Sequence, residues 1–148
     1  MTRELNKIVI HCTATPTDWT AENLERYFYE KKGWQHPGYH IVLERDGTRK
    51  DLLPIEKIAN GVRGHNQDSL HIAYIGGITE SGNPVDNRTE AQRKELVQLV
   101  KNFLHTSPHL GVFGHRDLLE DPYVNEASAD SMKACPCFDV NEWVKQNF

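Results

Sequence analysis

Lys7-Ile8-Val9-Ile10-His11-Cys12 is a short apolar run rich in β-branched residues, closed by a Pro16-containing loop over residues 13–18. That pattern predicts a buried strand ending near His11. Working outward, Thr20 can cap a helix that runs through about Lys32, with Leu24, Tyr27, Phe28 and Lys31 on one face. Gly33 is placed to stop it. Residues 39–45 alternate as a strand, Asp46-Gly47 is a hairpin turn, and residues 48–52 return. Residues 70–78 read as a further strand. Thr89-Glu90-Ala91-Gln92 is a capping box opening a helix whose buried stripe is Leu96, Leu99, Val100, Phe103 and Leu104. Residues 110–114 form a short strand leading into His115. A long loop follows to about Cys137, and Asp139 caps a last helix bearing Val140, Trp143 and Val144.

The predicted order is β-α-β-β-β-α-β-α. It defines an α/β single domain over residues 1–148, with a central mixed β-sheet flanked by α-helices. The 148 residues are one domain's length and bury enough surface to need no disulfide staples. Seventeen basic against twenty-one acidic side chains, a net charge of −4, argue against a nucleic-acid binder. No stretch approaches the roughly 20 apolar residues of a membrane span, and Ile8 to Ile10 is too short for a secretory signal core. The expectation is a protein made in the cytoplasm, with no membrane insertion and, lacking any heptad, monomeric. Three cysteines, two of them in Cys135-Pro136-Cys137, fit thiols in a reducing compartment better than a disulfide framework.

In sheets of this kind, sites lie just past strand ends. His11 and His115 both occupy such positions. Taken singly, each reads equally well as a core histidine or as a ligand. Lys133-Ala134-Cys135-Pro136 adds a thiolate close to an ammonium. Two imidazoles and one thiolate, far apart in sequence, make an open zinc site with water in the fourth position. Cys137 is the competing ligand. Of the eight histidines, His36, His105 and His109 read as ordinary surface residues, and His71 as a strand-start residue that packs or caps.

Four motifs together resemble the type 2 N-acetylmuramoyl-L-alanine amidases, the superfamily of phage lysozyme-type amidases and peptidoglycan recognition proteins. They are Ile8-Val9-Ile10-His11-Cys12-Thr13-Ala14-Thr15, Gly38-Tyr39-His40, Gly114-His115-Arg116-Asp117 and Lys133-Ala134-Cys135-Pro136-Cys137-Phe138-Asp139. The resemblance runs from residue 8 to the last helix. It implies a zinc hydrolase that cuts the amide between the lactyl group of N-acetylmuramic acid and L-alanine, on peptidoglycan or a soluble muropeptide. It further implies His11, His115 and Cys135 as ligands of Zn2+, and Tyr39 and Lys133 as catalytic residues. Both are suited to donate to an oxyanion or to move a proton, without a division of those duties. His40, next to Tyr39, is expected on the opposite side of the strand, in a supporting role.

The pattern is broken at one place. Many relatives carry a histidine ahead of a Gly-x-Asn-x-x-Ser stretch, where it lines the substrate groove. Here Gly61 stands there, leaving Arg63 or His65, with Asn66, as the expected substrate contacts. The acidic loop through Asp117, Glu120, Asp121, Glu126 and Asp130 reads as solvated, with a groove wall as the other reading. The overall expectation is an enzyme of phage or prophage endolysin kind, reaching the wall after lysis or export. The other readings are a non-catalytic peptidoglycan-binding module and a cytoplasmic muropeptide-recycling amidase.

Overall fold

The computed structural model describes residues 3–119 and 134–148. Five strands form one sheet in the order β3-β2-β4-β1-β5. They are β1 (Lys7–Cys12), β2 (Ile41–Leu43), β3 (Arg49–Asp51), β4 (Ser69–Tyr74) and β5 (Gly111–Gly114). The sheet is mixed, as expected: β1 runs parallel to both β4 and β5, β2 parallel to β4, and only β3 is antiparallel. The unbroken apolar character of β1 follows from its central place, since a strand with parallel neighbours on both sides is covered on both faces.

One face carries Ile8, Ile10, Ile41, Leu43, Leu70, Ile72 and Tyr74 against the helices α2 (Glu90–Thr106) and α3 (Val140–Asn147). Each such aliphatic side chain, fully buried, contributes about 1.5–3 kcal/mol. Leu96, Leu99 and Val100 bury as predicted, whereas Phe103 and Leu104 pack against the core half-buried. The capping box of α2 does more than end a helix. Gln92 Oε1 accepts from the Thr89 amide (3.0 Å), and its buried Nε2 donates to the carbonyls of Leu43 (3.2 Å) and Ile75 (3.1 Å). The helix start is thereby fastened to the ends of β2 and β4.

The other face packs Val42, Ala73 and Ile75 against Ala21, Leu24, Phe28 and Tyr39. The helix capped by Thr20 is α-helical only as α1 (Ala21–Arg26). It continues as a π-helical turn, Tyr27–Lys31, closed by the Lys32 amide on the Tyr27 carbonyl (3.1 Å). Lys31, expected on the buried face, is exposed, while Phe28 turns inward against Trp34 and Tyr39. Strand β4 stops at Tyr74, four residues short of its predicted end. Gly76 and Gly77 take φ of +139° and +99°, which no strand sustains. A Cβ on Gly77 would lie 2.5 Å from Cys12 Sγ, so the chain passes β1 where only glycine fits.

Candidate metal centre and active site

The register of the sheet builds the site. Ile10 pairs with Gly114, the last residue of β5. One step further along two parallel neighbours stand His11 and His115, so their imidazoles leave the sheet side by side, Nδ1 to Nδ1 at 3.2 Å. Cys135 is brought to them by backbone contacts. Its carbonyl accepts from the Arg116 amide (2.9 Å), and its sulfur from the Cys12 amide (3.1 Å). Its Sγ lies 3.9 Å from His11 Nδ1, and the three potential ligand atoms lie within 4.8 Å of one another, all on buried side chains.

Tetrahedral coordination at about 2.0–2.1 Å for nitrogen and 2.3 Å for sulfur puts ligand atoms about 3.3–3.6 Å apart. The observed 3.2 and 3.9 Å, with all three atoms inside 4.8 Å, are close enough for the side chains to draw together on an ion. Protonation favours it too. Burial, with added repulsion from His115, His71 and His40, holds His11 well below the usual imidazole range, and burial brings His115 down to about 4. Both rings are neutral at pH 7, the form a metal takes.

Tyr39 reaches the same place. Its ring centroid is 5.0 Å from that of His11 and its hydroxyl donates to the Cys12 carbonyl (3.3 Å). Burial raises its pKa well above the ordinary phenol range, so it stays protonated. Lys133 lies outside the described residues, as do Glu120, Asp121, Glu126 and Asp130 of the acidic loop. Asp117 is described: its Oδ2 accepts from the Gly114 amide (2.8 Å). Cys137 is not among the clustered atoms. It is half-buried, 3.9 Å from Cys12 Sγ, and donates to the Gly77 carbonyl.

In the segment expected to contact substrate, Arg63 is exposed and His65 half-buried. Asn66 Oδ1 accepts from the amides of Gly61 (3.0 Å) and Val62 (2.7 Å), which holds the turn closed. His40 lies just ahead of β2, which begins at Ile41. His40 Nδ1 accepts from the His71 amide (3.0 Å), and its ring stacks on that of His71 at 5.9 Å. His71, read from sequence as a strand-start residue, sits within β4 with its Nδ1 2.8 Å from His11 Nε2. The signal for it was available: Leu70 and Ile72 take one face of β4, which leaves His71 and Ala73 for the other, and Ala73 pairs with His11.

A buried cluster of two imidazoles and a thiol, at the carboxyl ends of parallel strands beside a buried tyrosine, could hold a metal ion, an arrangement found in metal-dependent hydrolases. A profile of the N-acetylmuramoyl-L-alanine amidase family matches residues 1–138. The endolysin of Enterobacteria phage K11 is 30% identical over 144 residues, covering 97% of this chain and 87% of that protein. The endolysin of Escherichia phage T7 is 28% identical, covering 95% and 85%. Among solved structures, the Ph2119 endolysin from a Thermus scotoductus bacteriophage superposes with a TM-score of 0.75 at 26% identity, over 99% of this chain and 87% of that one. Drosophila PGRP-LB shares the fold, with a TM-score of 0.70 at 15% identity over 92% and 76%. The chain belongs to the N-acetylmuramoyl-L-alanine amidase family, and it is an amidase of the endolysin kind. Among the described residues, no helix is long and apolar enough to cross a membrane.

Proposed function

We propose that this chain hydrolyses the amide between N-acetylmuramic acid and L-alanine in the bacterial wall, with zinc held by His11, His115 and Cys135. The observation that carries the proposal is the convergence of those three ligand atoms within 4.8 Å, beside Tyr39. A mixed imidazole and thiolate donor set favours zinc over harder cations. When bound, zinc supplies Lewis acidity and lowers the pKa of a water toward 7.

The protein's own groups do the rest. The Tyr39 hydroxyl, kept protonated by burial and donating to the Cys12 carbonyl in the free protein, is assigned to donate instead to the negative charge that develops on the scissile carbonyl oxygen. Lys133, two positions before Cys135, is assigned the second donor, stabilising that oxyanion or passing a proton to the departing L-alanine nitrogen. Aromatic packing of Tyr39 on His11 and Phe28 fixes the hydroxyl and excludes water behind it. Arg63 and His65, with the turn that Asn66 holds, are assigned to the substrate groove. The protein acts as a monomer on intact wall after release from the cell that makes it.

The test is zinc content together with release of new L-alanine amino termini from purified peptidoglycan, for wild type and Cys135→Ser. One zinc per chain and cleavage, both lost in the variant, support the proposal. Full activity in Cys135→Ser overturns it. Zinc without cleavage would leave a binding module, and cleavage of soluble muropeptides but not of intact wall would mark a recycling enzyme.

A further inference from the structure

His71 does nothing in the mechanism above, yet it is an awkwardly kept side chain. It is fully buried in the central sheet. Its Nδ1 lies 2.8 Å from His11 Nε2, on the side of the ring away from the ligand cluster. Its other nitrogen, Nε2, has no hydrogen-bond partner among the described residues. A buried polar atom left unpaired costs stability, and any apolar residue at 71 would avoid that cost.

The surroundings are shaped to keep the ring. A Cβ on Gly61 would come within 2.2 Å of His71 Nδ1 and 2.4 Å of its Cε1, so position 61 must be glycine for the imidazole to stand where it does. On its strand, the His71 amide donates to His40 Nδ1, and the two rings lie parallel, 4° apart. Neutral His40 therefore carries its proton on Nε2, which faces the Lys57 carbonyl at 2.8 Å. The ring of His71 is fixed from below by His40 and from the side by Gly61, with its Nδ1 lone pair toward His11.

From this geometry we infer that His71 is a positioning residue for the metal centre: its Nδ1 accepts the Nε2 proton of His11 and so commits His11 Nδ1 to the metal. A neutral imidazole has one donor and one acceptor nitrogen, and fixing the first fixes the second. Such partners orient a ligating ring and raise its basicity, and their loss typically costs 10–100-fold in metal affinity. The place that the resemblance gives to a groove histidine at 61 is thus filled from β4 by another histidine with a different task. The inference rests on the zinc reading of His11, His115 and Cys135.

The experiment compares wild type with His71→Asn and His71→Leu, two side chains of similar shape of which only the first offers an acceptor oxygen. Zinc affinity is measured by competition with a chelator, and ligand geometry by the visible spectrum of the cobalt-substituted protein. His71→Leu is expected to lose about 10–100-fold in zinc affinity with an altered cobalt spectrum. His71→Asn is expected to restore most of both. Equal affinities and spectra in the two folded variants overturn the inference. Long-range proton–nitrogen NMR on labelled wild-type zinc protein needs no variant: coupling from the His11 Nε2 proton to His71 Nδ1 supports it, and a proton on His71 Nδ1 overturns it. Wild type that binds no zinc overturns the zinc reading itself, an outcome distinct from variants that bind zinc as well as wild type.

Discussion

Acid should unfold the metal-free domain across a narrow range, and the four buried histidines give the size of the effect. Burial brings His40 and His115 to about 4 and His71 to about 3, and holds His11 low as well. The unfolded chain titrates these rings near 6.5. Below that pH the unfolded state takes up protons that the folded state refuses, so stability is complete above about pH 7 and falls as pH drops toward 4. Each ring contributes a slope of about 1.4 kcal/mol per pH unit, and four together about 5 kcal/mol per unit. A domain of about 5–15 kcal/mol loses its stability within about one to three units on that slope. The assay is denaturant unfolding in chelator at steps between pH 7.5 and 5, for wild type and His40→Gln. The variant should remove about a quarter of the slope. A denaturation midpoint that stays level from pH 7 to 5 would refute the reasoning, since it would mean that the rings already carry protons in the folded state.

Zinc at a hundred times its dissociation constant should add about 2.7 kcal/mol, a rise of about 5–10 °C in Tm that chelator reverses, read by thermal melting. Gln92→Ala strips the Thr89 amide and the carbonyls of Leu43 and Ile75 of a partner, and should cost about 2–4 kcal/mol by denaturant titration. Gly77→Ala forces a Cβ at positive φ against Cys12 and should cost about 2–4 kcal/mol, with weakened zinc binding because Cys12 adjoins His11. Tyr39→Phe should lower kcat with zinc content unchanged, measured on peptidoglycan.

What could be read from the sequence was what is local. Thr20, Thr89 and Asp139 each cap the helix predicted of them, because the cap and its partner amide lie three residues apart. The Asp46-Gly47 turn is equally self-contained, Gly47 taking φ +87°. The strand-end positions of His11 and His115 were legible for the same reason. Their adjacency was not, because it depends on the pairing of Ile10 with Gly114, a register that nothing local encodes. His71, read as a strand-start residue that packs or caps, gave no hint of its partner because His11 stands 60 positions away across the sheet. The end of β4 was overrun because Ile75 and Ile78 continue the apolar pattern past two glycines whose backbone had already turned.

The central place of β1 bears on how the protein is made. This strand leaves the ribosome before the other four, but the contacts that complete it reach across 60, 104 and 124 positions to His71, His115 and Cys135. Pairings so distant form late, since long stretches of chain must be closed before they repay the entropy lost. A nascent polypeptide that has not yet reached Cys135 lacks the sulfur of the His11, His115 and Cys135 cluster, and one that has not reached β5 lacks the strand that sets His115 beside His11. On the proposed ligand set, translation acts as a timer: the three side chains can meet only once nearly the whole described fold has been made.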